Sequence, residues 1–282
     1  MTVVRMQDLL AGARAARRGL GSFNVTLLES AEALVAAAET VRAPMVLQIS
    51  QNAVDYHGTL APLALGCLEL AARASVPVVV HLDHADRLEL VGEAFDMGIR
   101  SVMFDGSALE YADNVATTAQ VVAAAHRLDA AVEAELGEVG GKDGVHAAGV
   151  RTDPDDARAF VAATGVDSLA VAVGSSHAKL ERDLQLDHAL IARLAAAVPV
   201  PLVLHGSSSV ADAELTRAIA SGMTKINIST HLNKQFTAAV RAVLAADETL
   251  ADPRKYVKAG RAAMAAETAR LLEVLGEAGA AA

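Results

Sequence analysis

Eight short β-rich runs recur along the chain: SFNV, MVLQIS, VPVVVHLD, SVMFDG, AVEAELG, SLAVAVG, VPLVLHG and TKINIST. Between them lie Ala- and Leu-rich stretches with the apolar spacing of amphipathic helices. Runs this continuously apolar belong to strands covered on both faces, as in parallel sheets. Eight such strands alternating with helices predict an α/β fold, a (β/α)8 TIM barrel. The rival, an open doubly wound sheet, would carry a GxGxxG turn after its first strand; SFNVTLLES stands there instead. A helical stretch from about Met6 to Arg18 precedes the barrel and ADPRKYVKAGRAAMAAETARLLEVLG follows it, adding N-terminal and C-terminal helices. Residues 1–282 are expected to form one barrel domain, a size at which such barrels hold a single core.

Composition narrows the picture. The chain is 53% hydrophobic but only 3% aromatic, so Ala, Val and Leu must fill the core. A formal charge of -10 with no basic face excludes a nucleic-acid partner. No run reaches membrane-spanning length and the N-terminus lacks an apolar signal core, so no membrane partner is expected and a reducing cytoplasm fits best. Cys67 is the one cysteine and sits in a helical run, LALGCLELAA, where a core thiol is expected.

In a barrel, chemistry belongs to residues at the carboxyl ends of strands. Asn24, Ser50, Asp83, His84, Asp105, Glu133, Glu135, His177, His205, Asn227, Ser229 and Thr230 all fall at or near such ends. His84, His177 and His205 each follow an apolar run, and three imidazoles from one end of parallel strands can hold one Zn²⁺ with a position left open. Asp83 and His84 are neighbours, so regular alternation sends them to opposite faces; both serve one site only where the strand ends and the chain bends. The competing reading of that motif is a helix-capping Asp beside an incidental His. Glu133 and Glu135 share a face, and two carboxylates there require a nearby cation. Asp105 either joins Glu135 at a second metal position or serves the turn before Gly106.

Two further segments carry candidate chemistry. The glycine-rich run after Gly140, KDGVHAAGVRTDP, has the make-up of a mobile lid; Asp143 and His146 within it are either solvated or acid/base groups. HGSSSV and INISTHL place Gly206, Ser207, Ser208, Ser209, Ser229 and Thr230 after the last two strands, an arrangement suited to an anion. Plain helix capping competes with that reading. His81 is expected to be a hydrogen-bonded core residue, and His57, His126, His188 and His231 are expected at the surface.

Taken in order, FNV, HLDH, SVMFDGS, VEAELGEVGG, AVGSSH, LVLHGSS and KINIST resemble the class II, zinc-dependent ketose-bisphosphate aldolases from about Met6 to Leu275. The resemblance implies that His84, His177 and His205 bind the catalytic Zn²⁺ and that Asp105 and Glu135 form a second divalent position. It implies that Asp83 handles the proton of the C4 hydroxyl, and that a loop acid protonates the C3 carbon left by C3–C4 cleavage. A Lewis acid on the C2 carbonyl makes that carbanion tolerable. Gly206, Ser208, Asn227, Ser229 and Thr230 match positions holding dihydroxyacetone phosphate, Asn24 and Ser50 match substrate-side positions, and Arg254 matches an arginine that enters a neighbouring subunit's site. A monovalent cation (Na⁺ or K⁺) near the phosphate and a homodimer or homotetramer are also implied.

The sequence departs from the pattern at several places. Asp143 stands where most relatives carry Glu, shortening its reach by about one methylene. Ala178 replaces a glycine beside the second zinc histidine, and Ser207 and Ser209 alter the HGG/HGA turn. The expected substrate is fructose 1,6-bisphosphate or a close relative. Tagatose 1,6-bisphosphate, a 5-keto-2-deoxygluconate phosphate suggested by the loop GGKDGVHAAGVR, or mere phosphosugar binding on a degenerate barrel are the alternatives. A Schiff-base mechanism would need Lys179.

Overall fold

The computed structural model describes residues 4–136, 151–176, 182–277 and 279–280. Eight parallel strands close on themselves in sequence order: β1 (Leu20–Asn24), β2 (Met45–Ser50), β3 (Val78–Ala85), β4 (Ser101–Phe104), β5 (Ala131–Leu136), β6 (Ser168–Val171), β7 (Leu202–Leu204) and β8 (Met223–Ile228). The ring closes through β1 and β8, where Leu20 pairs with Lys225 and Ser22 with Asn227. All eight β-rich runs of the sequence thus become strands, and the barrel expectation holds.

The helices are α1 (Met6–Ala16), α2 (Leu28–Val41), α3 (Gln51–His57), α4 (Ala61–Arg73), α5 (Leu88–Asp96), α6 (Tyr111–His126), α7 (Pro154–Thr164), α8 (His188–Ala197), α9 (Asp212–Ser221), α10 (Thr230–Ala246) and α11 (Pro253–Val274). Their limits follow local chemistry. Asp153 caps α7 through the amides of Asp155 and Asp156 with Pro154 in the first turn, and Asp252 and Pro253 do the same for α11. Gly165 ends α7 at φ 73°, a left-handed closing turn that glycine adopts without strain. Among the described residues no helix is long and apolar enough to cross a membrane.

Two apolar layers hold the barrel. The larger lies between strands and outer helices, where outward residues such as Val80, Leu82, Val132 and Ile226 meet Leu34, Leu194 and Leu215. Cys67 is buried in this layer on α4, and burial pushes its thiol up to about 12, so it is an inert core residue. The smaller layer plugs the amino end of the barrel: Met6, Leu10 and Ala13 of α1 pack on Leu20, Val46, Val79 and Ala131. The interior above that plug is polar, with Ser22, Gln48, His81, Ser101, Glu133 and Lys225 all buried. A dry floor below and polar groups above direct chemistry to the carboxyl end.

Near the C-terminus Glu277 is buried, its side chain 1% exposed, with the Arg18 Nε 3.9 Å away. Burial outweighs the arginine and pushes the carboxyl from the ordinary 4.5 up to about 7. A proton held more tightly in the folded chain stabilises the fold at low pH, and that contribution fades as pH rises through about 4.5 to 7. The wild-type melting temperature is therefore expected to fall from about pH 5 to about pH 8 relative to Glu277→Gln, measured by scanning calorimetry. Parallel pH profiles would refute this.

Candidate active site

Strand β3 carries two of the predicted residues, and their shared orientation comes from an irregularity. Leu82 pairs with Val102 and Ala85 with Phe104, so three steps on β3 oppose two on β4 and one residue is extra. His84 takes up that bulge at φ 51°, a left-handed conformation rare for a side-chain-bearing residue. The strand does not stop at Asp83, as the sequence suggested; it continues to Ala85, and the bulge brings Asp83 and His84 to the same mouth. Strained backbone of this kind concentrates at functional sites.

The described imidazoles converge. The His84 and His205 rings meet edge to face with centroids 4.6 Å apart. His84 Nδ1 lies 2.8 Å from Asp105 Oδ2, and His205 Nε2 lies 2.9 Å from Glu133 Oε1 with its Nδ1 3.4 Å from Glu135 Oε2. Asp83, His84 and His205 can each place one ligand atom within 4.8 Å of the others, and so can His84, Asp105 and Glu135. The two groups share His84. Asp105 also accepts from the Ser107 amide and hydroxyl, so it serves the turn and faces the imidazole at once. His177 and Ala178 lie outside the described residues, as do Lys179, Asp143 and His146. The Thr152 hydroxyl donates to the Leu136 carbonyl and accepts from the Ala172 amide, tying the end of β5 to the residue after β6.

Glu133 has a buried cation beside it that the sequence reading missed. Lys225, fully buried on β8, donates from Nζ to Glu133 Oε2 at 2.7 Å and lies 3.5 Å from His81 Nε2. Burial and the Lys225 charge hold His81 well below the usual imidazole range. His81 is therefore neutral, accepting from Lys225 and donating from Nδ1 to Ser101 Oγ at 2.7 Å. The signal was present: a lysine in the middle of strand β8, two residues before Asn227.

Several buried polar atoms at this mouth have no hydrogen-bond partner among the described residues: Asp83 Oδ1, Ser175 Oγ, and both Oδ1 and Nδ2 of Asn227. Buried polar groups are rarely left so, and all three residues lie at or just past the carboxyl-terminal part of a strand, where a ligand would complete them. Ser175 was not singled out from sequence. Gln48, also missed, spans the floor of the mouth, accepting from Ser22 and donating to Asn24 Oδ1 at 2.5 Å and to Asp83 Oδ2 at 3.4 Å. Ser50 caps α3, accepting from the Ala53 amide at 3.2 Å, and keeps its own proton to give.

Around β7 and β8 the turn is tightly built. Gly206 sits at φ 66°, and a Cβ there would meet the Ser176 backbone at 2.7 Å, so only glycine fits. Ser207 to Ser209 form a single 3₁₀ turn. Ser207 is buried with its hydroxyl donated to the Asn227 carbonyl, and so staples β7 to β8 instead of facing outward. Ser208 Oγ accepts from the Ser229 amide at 3.0 Å. Ser229 precedes α10 without a side-chain cap, and Thr230 opens the helix, so plain capping does not account for either. Arg254 stands apart. Its side chain is 88% exposed and bound to its own capping residue Asp252, and no described site residue touches it. Of the four histidines expected at the surface, only His126 is exposed; His57 meets the Thr26 carbonyl, His188 meets Glu214 and His231 meets Glu267.

A parallel barrel with imidazoles, carboxylates and the Asn227 amide at the carboxyl-terminal part of its strands is the build of a barrel enzyme working on a polar ligand. Comparison with known proteins is more specific. The family model described as "Fructose-bisphosphate aldolase class-II" matches residues 4–280. A fructose-bisphosphate aldolase of Geobacillus stearothermophilus is 38% identical over the whole of both chains. The 6-phospho-5-dehydro-2-deoxy-D-gluconate aldolase of Shouchella clausii is also 38% identical, over 99% of this chain and 96% of its own. Among solved structures, the YdjI aldolase of Escherichia coli K12 superposes with a TM-score of 0.88 at 30% identity over the full length of both chains. The chain belongs to the class II fructose-bisphosphate aldolase family and is an aldolase, a carbon–carbon lyase. The family is in general zinc-dependent, and the described residues contain donor sets suited to such an ion.

Proposed function

We propose that this aldolase cleaves fructose 1,6-bisphosphate, or a ketose phosphate closely related to it, into dihydroxyacetone phosphate and an aldehyde. The observation that carries the reading is the meeting of His84, His205 and Asp83, where Asp83 Oδ1 is buried with no hydrogen-bond partner among the described residues. A second substrate, the phosphorylated 5-dehydro-2-deoxygluconate, is favoured by a relative just as similar as the fructose-bisphosphate enzyme.

His84, His205 and His177 would hold the divalent ion, with Asp105 and Glu135 as a second position. Asp105 on His84 Nδ1 and Glu133 on His205 Nε2 leave His84 Nε2 and His205 Nδ1 as the nitrogens suited to the ion. When bound, the ion supplies a Lewis acid for the ketose carbonyl oxygen. Asp83 takes the C4 hydroxyl proton on Oδ1, the oxygen without a hydrogen-bond partner among the described residues, while Gln48 steadies Oδ2. Asn227 directs its amide at the substrate chain, with Asn24 and Ser50 on the aldehyde side. The turn from Gly206 to Ser208 and the start of α10 at Ser229 and Thr230 receive the phosphate through N–H and hydroxyl donors, with Ser207 bracing the turn and Na⁺ or K⁺ nearby. Asp143 and the Ala178 amide are assigned to proton return at C3 and to the phosphate, respectively. Arg254, exposed here, is assigned to the distal phosphate in a neighbouring subunit of a homodimer or homotetramer. The working compartment is the cytoplasm, and residues 1–282 act as one unit.

A coupled assay for dihydroxyacetone phosphate, run with fructose 1,6-bisphosphate, tagatose 1,6-bisphosphate and the phosphorylated deoxygluconate, tests the reading. Turnover of one of these, lost on dialysis against EDTA and restored by Zn²⁺, is expected. Release from none, or turnover that survives complete metal removal, would overturn it.

A further inference from the structure

Lys225 is buried and charged, and no step of the proposed chemistry uses it. A buried ammonium persists only when paired, and its partner is Glu133, whose two oxygens divide their duties: Oε2 takes Lys225 Nζ at 2.7 Å and Oε1 takes His205 Nε2 at 2.9 Å. The carboxylate is thus held at one end by β8 and holds, at the other, the imidazole just past β7. With Nε2 engaged from below, the His205 ring presents Nδ1 to the mouth, where Glu135 Oε2 stands 3.4 Å away. Below Lys225, His81 and Ser101 extend the chain of contacts to β4, so the ammonium cannot drift.

Resting on the reading that His205 ligates the metal, we propose that Lys225 is a positioning residue for the metal site. It fixes the Glu133 carboxylate that sets the orientation of the His205 ring. Outer partners of metal-bound imidazoles typically carry about 10–100-fold in metal affinity. Lys225 acts at one remove, through Glu133, and it also supplies the charge that makes a carboxylate acceptable beneath the site. A purely structural lysine would affect the stability of the metal-free protein and nothing else.

The test compares wild type, Lys225→Met, the double variant Glu133→Gln/Lys225→Met, and His205→Ala. Zn²⁺ affinity is measured by competition with a chelating dye, Co²⁺ coordination by its visible absorption, and metal-free stability by urea. Methionine fills the lysine volume without charge. Lys225→Met is expected to bind Zn²⁺ about 10–100-fold more weakly, with a shifted Co²⁺ band, and to be less stable without metal. The double variant, with no unpaired buried charge, is expected to regain metal-free stability while still binding Zn²⁺ weakly. Wild-type affinity and an unshifted band in either lysine variant would overturn the positioning role alone. Wild-type affinity in His205→Ala would instead remove the assignment of His205 as ligand, and the positioning role with it.

Discussion

Replacing Asp83 by asparagine is expected to lower kcat by about 10²–10⁴-fold, the range associated with losing a positioned acid–base group. The substitution is nearly isosteric and leaves the backbone bulge at His84 untouched, so bound metal and KM are expected to stay close to wild type. What is lost is the acceptor: Asp83 Oδ1 is buried, has no partner among the described residues, and faces the mouth shared with His84 and His205. An amide can fill that volume but cannot take a hydroxyl proton. Because Asp83 is assigned to the C4 hydroxyl and not to C3, exchange of the C3 proton of dihydroxyacetone phosphate in deuterated water should continue in the variant. Steady-state kinetics, metal analysis and proton exchange by NMR check this together. Undiminished cleavage, or exchange lost in parallel with cleavage, would contradict the assignment.

The same residue shows what a sequence can and cannot reveal about such a site. The strand HLDH was legible because buried parallel strands read as unbroken apolar runs, and the polar residues ending them stand out against that background. That a bulge within the strand turns both Asp83 and His84 to the mouth was not legible. A bulge is a relation between two strands, Leu82 to Val102 and Ala85 to Phe104, and neither strand alone records it. Lys225 was passed over for a related reason. Glu133 and Glu135 require a cation, and β8 carries one in its own interior against Glu133, a pairing of residues 92 positions apart that no local pattern records. Ser207 shows a second limit. Its place in a serine-rich turn suggested a ligand contact, while the structure commits its hydroxyl to the Asn227 carbonyl. His188 and His231, isolated in sequence, gain their carboxylate partners Glu214 and Glu267 only through packing of helices distant along the chain. Residue types and strand ends are local information; the pairing of buried charges is not.

His205→Ala is expected to have the largest effect, abolishing Zn²⁺ retention on dialysis and lowering activity by about 10³-fold or more, since a Lewis acid contributes several kcal/mol to such a reaction. The protein should nevertheless fold. Removing a buried imidazole would be severe if it left Glu133 as an unpaired carboxylate, but Lys225 remains 2.7 Å from Oε2 and keeps the charge compensated. The expected stability cost is that of a cavity in the barrel, about 2–3 kcal/mol, and not the larger cost of an orphaned charge. Metal content by mass spectrometry, activity across the substrate panel, and urea unfolding separate these terms. The contrast with Lys225→Met carries the argument: one variant removes a donor outright and keeps the ion pair, the other keeps the donor and removes what orients it. Loss of metal in the first and graded weakening in the second is the pattern that a ligand supported from beneath must give. A His205→Ala protein that retains zinc and full activity would show that the converging rings of His84 and His205, 4.6 Å apart, do not mark the reaction centre.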